Sequence, residues 1–186
     1  MFRETIDGVD LQFETGAGLF SPDRIDAGTR ALLAAMAIDP GDKLLDLGCG
    51  YGAIGIFAAR RAAAENVFMI DADARAVAAA QRNAALNGVA AAHVQQSDGF
   101  RDFNEAGFTK IACNPPYHAD FAVAKHFIEK GFNRLLIGGA MWMVTKREGW
   151  YRNKLTAIFG GVRVRKSDGY VVFEAIKKSP TYANRK

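Results

Sequence analysis

From residue 43 onward the sequence alternates short apolar runs with amphipathic stretches, and few folds satisfy that alternation. Residues 43–47, 66–70, 92–95 and 110–113, and a run starting at Leu135-Leu136-Ile137 that extends to Val144, read as strands. Residues 53–63, 73–86, 120–130 and 148–159 between them read as helices, the second closing at Asn87-Gly88. Two last strands, 161–164 and 170–176, are joined by Ser167-Asp168-Gly169, too short for a parallel crossover, so they pair antiparallel. The expected architecture is α/β: a mostly parallel seven-stranded sheet with a final antiparallel strand and helices on both faces.

Ahead of this unit, residues 5–6 and 9–13 flank Asp7-Gly8, a favoured two-residue turn, so residues 1–20 read as a β-hairpin extension. Ser21-Pro22-Asp23 reads as a helix start, with a hydroxyl to cap, a proline at the first position and an acid in the first turn. Ile25, Leu32, Leu33 and Met36 form its apolar stripe, and Pro40-Gly41 ends it. No repeat or linker divides the 186 residues, which are expected to form one domain.

No apolar run reaches the roughly 18 residues a membrane span needs, and the N-terminus lacks the basic-then-apolar order of a secretory signal. Cys49 and Cys113 are two lone thiols beside loops, which suits a reducing, cytoplasmic setting better than a disulfide framework. No Cys/His spacing suggests a metal. The net charge of +4 is uneven: residues 145–186 carry eleven Lys or Arg against three Asp or Glu, whereas the preceding 144 residues carry thirteen against seventeen. A basic C-terminal third suits a polyanionic partner, and equally suits a solvated face with a lysine-rich tail.

Two loops carry the candidate chemistry. Asp46-Leu47-Gly48-Cys49-Gly50-Tyr51-Gly52 follows the first strand of the alternating region and opens a helix, and its glycines let the backbone turn tightly against a ligand. Alone, such a loop is weak evidence. Asp71 closes the next strand 25 residues later, near the ~20-residue offset at which an acid reaches a ribose, and Asp98 follows the third strand. Each could merely cap the next helix. Together, three carboxylates around one crevice suit an adenosine ligand that carries an ammonium group, and would repel a pyrophosphate.

The second loop is Asn114-Pro115-Pro116-Tyr117, on the same rim after the fourth strand. An amide carbonyl, proline carbonyls on a backbone of fixed φ, and a flat ring could together orient a planar substrate's amine. Such an amine is a poor nucleophile, because its lone pair is delocalised into the ring. Acceptors aimed at its two N–H bonds would position it and stabilise the charge that develops on methylation. The competing reading is a rigid Pro-Pro loop with an incidental aromatic. His118 and Tyr51 are lesser candidates for contact with ligands.

With these residues in place, nearly the whole chain resembles the small-domain class I methyltransferases, Rossmann-like enzymes in which an Asp-x-Gly-x-Gly loop binds S-adenosylmethionine and Asn-Pro-Pro-Tyr handles a planar nitrogen. The stretch from Gly18 to Thr29 is similar to the segment that precedes the cofactor loop in bacterial ribosomal RNA guanine-N2 methyltransferases. The resemblance implies that Asp46, Gly48, Cys49 and Gly50 hold the methionine end, Asp71 the ribose and Asp98 the adenine. Asn114, Pro115, Pro116 and Tyr117 would present the amine, with Asn114 also beside the cofactor and Phe20 a contact from the Gly18–Thr29 stretch, which in those enzymes closes over cofactor and target base. Longer members carry a further domain where this chain has a hairpin, so the basic third, through Lys177, Lys178, Arg185 and Lys186, is expected to hold RNA. The alternatives that suit the same tetrapeptide are a protein glutamine-amide methyltransferase and a small-molecule methyltransferase.

Overall fold

A computed structural model describes residues 1–16, 21, 23–115 and 121–183. Of the expected site residues, Phe20, Pro116 and Tyr117 lie outside these, as do His118, Arg185 and Lys186. The N-terminal hairpin is as expected: β1 (Phe2–Ile6) and β2 (Val9–Phe13) pair antiparallel through Asp7 and Gly8, both at positive φ, the geometry that matches strand twist in a two-residue turn.

The remaining elements follow as α1 (Ala27–Ala35), β3 (Leu44–Leu47), α2 (Ala53–Ala59), β4 (Val67–Asp71), α3 (Ala74–Leu86), β5 (His93–Gln96), β6 (Phe108–Cys113), α4 (Phe121–Arg134), β7 (Leu135–Thr145), α5 (Glu148–Phe159), β8 (Arg163–Ser167) and β9 (Tyr170–Ile176). Strands β3 to β9 form one sheet in the order β5-β4-β3-β6-β7-β9-β8. It is parallel except for β9, which inserts antiparallel between β7 and β8. One face packs under α1, α2, α3 and the hairpin through Leu32, Ile56, Ala79 and Phe13; the other packs under α4 and α5 through Ile128, Phe132, Leu155 and Phe159. The chain winds outward from β3 through β4 and β5, then crosses to β6 on the other side of β3. A crevice opens beyond the carboxyl ends of strands at such a reversal.

Several boundaries move. Helix α1 starts at Ala27, not after Ser21: the Ser21 hydroxyl donates to the Arg24 carbonyl, and the Asp26 carboxylate accepts from Thr29 N at 3.1 Å and caps the helix instead. Helix α2 ends at Ala59, and residues Ala64–Asn66 form a separate 3₁₀ turn. Helix α4 runs past Gly131, where a Cβ would lie 2.6 Å from Met141 Cε, so that glycine is a close-packing position and not a stop. Strand β8 starts two residues later and ends three residues later than expected, because the turn set by Asp168 and Gly169, both at positive φ, allows pairing right up to Ser167↔Tyr170. Among the described residues no helix is long and apolar enough to cross a membrane.

Candidate active site

The glycine loop is built by β3, α2 and the end of β4. The N–H groups of Gly48 and Cys49 both donate to the Ile70 carbonyl at 2.9 Å, and Gly48, Gly50 and Gly52 adopt φ of 76°, 56° and 95°. Side chains with a Cβ rarely enter that region, which explains the glycines. Asp71 clamps the loop from the next strand: one carboxylate oxygen accepts from Gly50 N at 2.8 Å, the other from Asp73 N at 2.9 Å. Asp73, in turn, caps α3.

Asp46 is 1% exposed. Its Oδ2 accepts from Gly55 N at 2.8 Å, while its Oδ1 is buried and has no hydrogen-bond partner among the described residues. Burial lifts the carboxyl to about 7; the Gly55 hydrogen bond opposes this, and the nearby Asp71 charge adds to it. A buried acceptor without a donor is costly unless a ligand supplies one, and an ammonium group would do so.

Asp98 is exposed at the rim and pairs with Arg101 at 3.3 Å. Its neighbour Ser97 is buried and spends its hydroxyl on the Gly99 carbonyl. Asn114 follows β6, one strand from Asp46. Its Nδ2 donates both to Asp26 Oδ2 and to Thr29 Oγ1, each at 2.9 Å, so the amide is fixed with its oxygen turned away from α1. Asp26 Oδ1 accepts from the Tyr170 hydroxyl at 3.3 Å. The N-terminus of α1 and the start of β9 therefore converge on Asn114. The sequence places Asp26 and Thr29 within the Gly18–Thr29 stretch without giving either a role, and gives no sign of Tyr170; the Asp26-Ala27-Gly28-Thr29 cap pattern is the local signal for the first two, in competition with Ser21-Pro22.

These groups line one cleft of about 330 Å³ at the sheet reversal. The structure brings together Asp46, Gly48, Cys49, Gly50, Asp71, Asp98, Asn114 and Pro115, and adds Tyr51, Ile54, Ile70, Val123 and Phe127 as mainly apolar walls. The volume is in the range of small-molecule sites. Carboxylates distributed along a cleft with otherwise mainly apolar walls fit an adenosine joined to an ammonium-bearing chain. Cys49 and Cys113 are buried free thiols whose acidity burial suppresses. Trp142 packs in the core on one face of the sheet; Trp150, half-buried, packs against the core on the other and stacks on Phe121 at 4.5 Å.

Lys177 corrects an expectation. It is 7% exposed, and its Nζ donates to the Leu135 carbonyl at 2.8 Å and lies 4.7 Å from the centre of the Phe132 ring. Because β9 runs against the sheet, Lys177 and Lys178 emerge at the end opposite the cleft. Lys177 is thus a buried packing element of the β7 start and not a surface cation available to RNA.

The family model of the methyltransferase small domain matches residues 10–174. YbxB of Bacillus subtilis is 33% identical over 176 residues, covering 90% of this chain and 87% of that protein. The ribosomal RNA large subunit methyltransferase G of Aeromonas hydrophila is 33% identical over 181 residues, 93% of this chain and 48% of that protein. A solved structure of the T. thermophilus 16S rRNA N2-guanine methyltransferase in complex with AdoMet and guanosine superposes with a TM-score of 0.86 at 30% identity, covering 95% of this chain and 50% of that one. The chain spans most of YbxB and about half the length of the ribosomal RNA methyltransferases it matches.

Proposed function

The chain belongs to the methyltransferase small-domain family, and from that premise we propose that it transfers the methyl group of S-adenosylmethionine to the exocyclic N2 amine of a guanine in ribosomal RNA. The observation that carries this reading is the meeting of two unlike half-sites in one cleft: the buried Asp46 and half-buried Asp71 beside the glycine loop, and Asn114, its amide nitrogen held by Asp26 and Thr29, with Pro115 across from them. The similarity to a methyltransferase solved with guanosine favours guanine among the planar amines.

Asp46 with the Gly48–Gly50 backbone holds the methionine end, Asp71 the ribose and Asp98 the adenine edge, with Ile54 and Phe127 as flanking walls. When bound, the cofactor supplies an electrophilic methyl on a sulfonium. Asn114 Oδ1 and the Pro115 carbonyl accept the two N–H bonds of the target amine, point its lone pair into the cleft and stabilise the positive charge that grows on nitrogen. We assign Pro116 and Tyr117 to the same presentation of the amine, Tyr117 by stacking on the base. The methylated amine is acidic enough to release its proton to water, so no side chain has to act as a strong base.

Calorimetric titration with S-adenosylmethionine, comparing wild type with Asp71→Asn, tests the first half, and a tritiated methyl-transfer assay on 16S and 23S ribosomal RNA with nucleoside analysis tests the second. Cofactor binding that weakens in the variant, with label in N2-methylguanosine, supports the reading. Label on a glutamine amide instead would overturn the RNA substrate, and no cofactor binding by folded wild type would overturn the activity.

A further inference from the structure

We propose that the rim formed by the end of β7, the start of α4 and the first turn of α5 holds the single-stranded RNA flanking the target base, with Lys146 and Arg147 on its phosphates and the Phe121–Trp150 pair against a neighbouring base; this rests on the RNA reading of the site.

Position is the first argument. Cys113 pairs with Met143 across β6 and β7, so the residues after Thr145 stand one strand away from Asn114 at the same end of the sheet. A chain of contacts joins them: Asn114 donates to Asp26, Tyr170 donates to Asp26, and the Lys146 ammonium lies 4.7 Å over the Tyr170 ring. A nucleotide whose base reaches Asn114 has its backbone within reach of this rim.

The second argument is chemical. Both cations are exposed, and both rest on aromatic faces, Arg147 lying 5.2 Å over Phe121. A cation–π seat restricts a long side chain before any ligand arrives and so lowers the cost of ordering it on binding. Phe121 stacks on Trp150 with an interplanar angle of 22°, and both are half-buried. Cations interleaved with partly exposed rings suit an unpaired strand, whose bases can splay and stack, better than a duplex, whose bases are already stacked.

The third argument is the distribution of charge around the mouth of the cleft. Glu148 on this rim is flanked by Lys166 at 2.7 Å and Arg152 at 2.5 Å, so the local balance stays positive. Across the cleft, Asp46 and Asp71 accept from backbone N–H groups, while Asp73 and Asp98 are matched only by Arg75 and Arg101. A polyanion approaching Asn114 is therefore attracted more strongly over β7, where cations are in excess, than over β4, where the acids equal or exceed their arginine partners. The far end of the sheet, where Lys178 emerges, lies a full strand length from the substrate loop.

The test uses the full chain and a fluorescein-labelled, mixed-sequence single-stranded RNA 20-mer, with binding followed by anisotropy from 50 to 300 mM KCl. Lys146→Gln/Arg147→Gln should weaken binding by about tenfold at 100 mM and lower the slope of log affinity against log salt by about 1.4, roughly 0.7 for each lost phosphate contact. Calorimetric affinity for S-adenosylmethionine should not change, which also reports that the variant is folded. Lys178→Gln should behave as wild type. Equal affinity and slope in wild type and the double variant, or an equal loss in Lys178→Gln, would overturn the rim. A measurement without substitutions adds to this: photocrosslinking of 4-thiouridine RNA should label peptides carrying Phe121 or Trp150, and labelling confined to β4, β5 or the far end would also overturn it. Wild type that binds S-adenosylmethionine but no RNA would instead overturn the RNA reading, and the rim with it.

Discussion

With its carboxyl lifted to about 7, Asp46 sits between its two protonation states at neutral pH. Two consequences follow, with opposite signs. For stability, the folded chain holds a proton that the unfolded chain releases near 4. Asp46 therefore favours folding below that pH, and the contribution fades as pH rises from about 4 through about 7. For binding, an ammonium against Oδ1 selects the carboxylate, so S-adenosylmethionine should bind more tightly as pH rises from 6 to 8 and should expel a proton on binding. Calorimetry in buffers of different ionisation enthalpy would show this as a buffer-dependent heat, absent in Asp46→Asn; a heat independent of buffer at pH 6.5 would mean that Asp46 is not where the ammonium sits. A second residue acts through another. Asp26 holds the Asn114 amide, so Asp26→Ala should lower kcat on the order of 100-fold, the scale expected when a reacting group is misaligned by about an ångström, with cofactor affinity unchanged. Asp26→Asn keeps an acceptor and should recover part of that loss; if Asn and Ala behave alike, orientation of the amide is not the cause. The difference between these aspartates is also why one was legible and the other was not. Asp46, Asp71 and the glycines betray themselves by spacing around a strand-to-helix turn, whereas Asp26 meets Asn114 across 88 positions and Tyr170 across 144, and no local pattern encodes those meetings.

At the scale of elements, the hairpin is attached by side chains acting as backbone. Asn83 on α3 and Asn87 at its C-terminal cap sit one turn apart and face the hairpin. Asn87 accepts from Gln12 N and donates to Gln12 O, while Asn83 accepts from Glu14 N and donates to Glu14 O and to the Tyr51 carbonyl in the glycine loop. Asn83 is fully buried, so truncation strands three backbone groups at once. At about 1 kcal/mol or more for each, Asn83→Ala should cost roughly 3 kcal/mol and lower Tm by about 6–12 °C, with weaker cofactor binding because Tyr51 loses its tether. A fall in Tm below about 2 °C, with unchanged cofactor affinity, would show that the hairpin and loop are held by apolar packing alone. The hairpin itself was legible from Asp7-Gly8 and its flanking alternation. Its docking was not, because two asparagines in an alanine-rich helix read locally as weak helix formers. The same limit explains α4: Gly131 resembles a stop until the close approach of Met141 is known.

For the whole molecule, the uneven charge visible in the sequence acquires a direction only through topology. The basic third contains β9, which reverses direction in the sheet, so its cations separate: Lys146, Arg147 and Lys166 go to the mouth of the cleft, Lys177 and Lys178 to the opposite end. Counting charges along the chain cannot make that division: of the cations expected to hold RNA, Lys177 is buried and Lys178 is exposed at the end opposite the cleft, while Arg185 and Lys186 lie outside the described residues. The two ligands of the proposed reaction therefore meet different electrostatics. S-adenosylmethionine is small and enters beside acids in a partly enclosed cleft, where salt screens short contacts weakly; RNA contacts exposed cations and releases condensed counterions as it binds. Steady-state kinetics between 50 and 200 mM KCl should show KM for RNA rising as a power of salt concentration while KM for S-adenosylmethionine changes by less than about twofold. Parallel rises would mean that salt acts on the fold or on a shared step. A flat KM for RNA would mean that recognition is carried by base contacts at Asn114 and its neighbours and not by the charged rim.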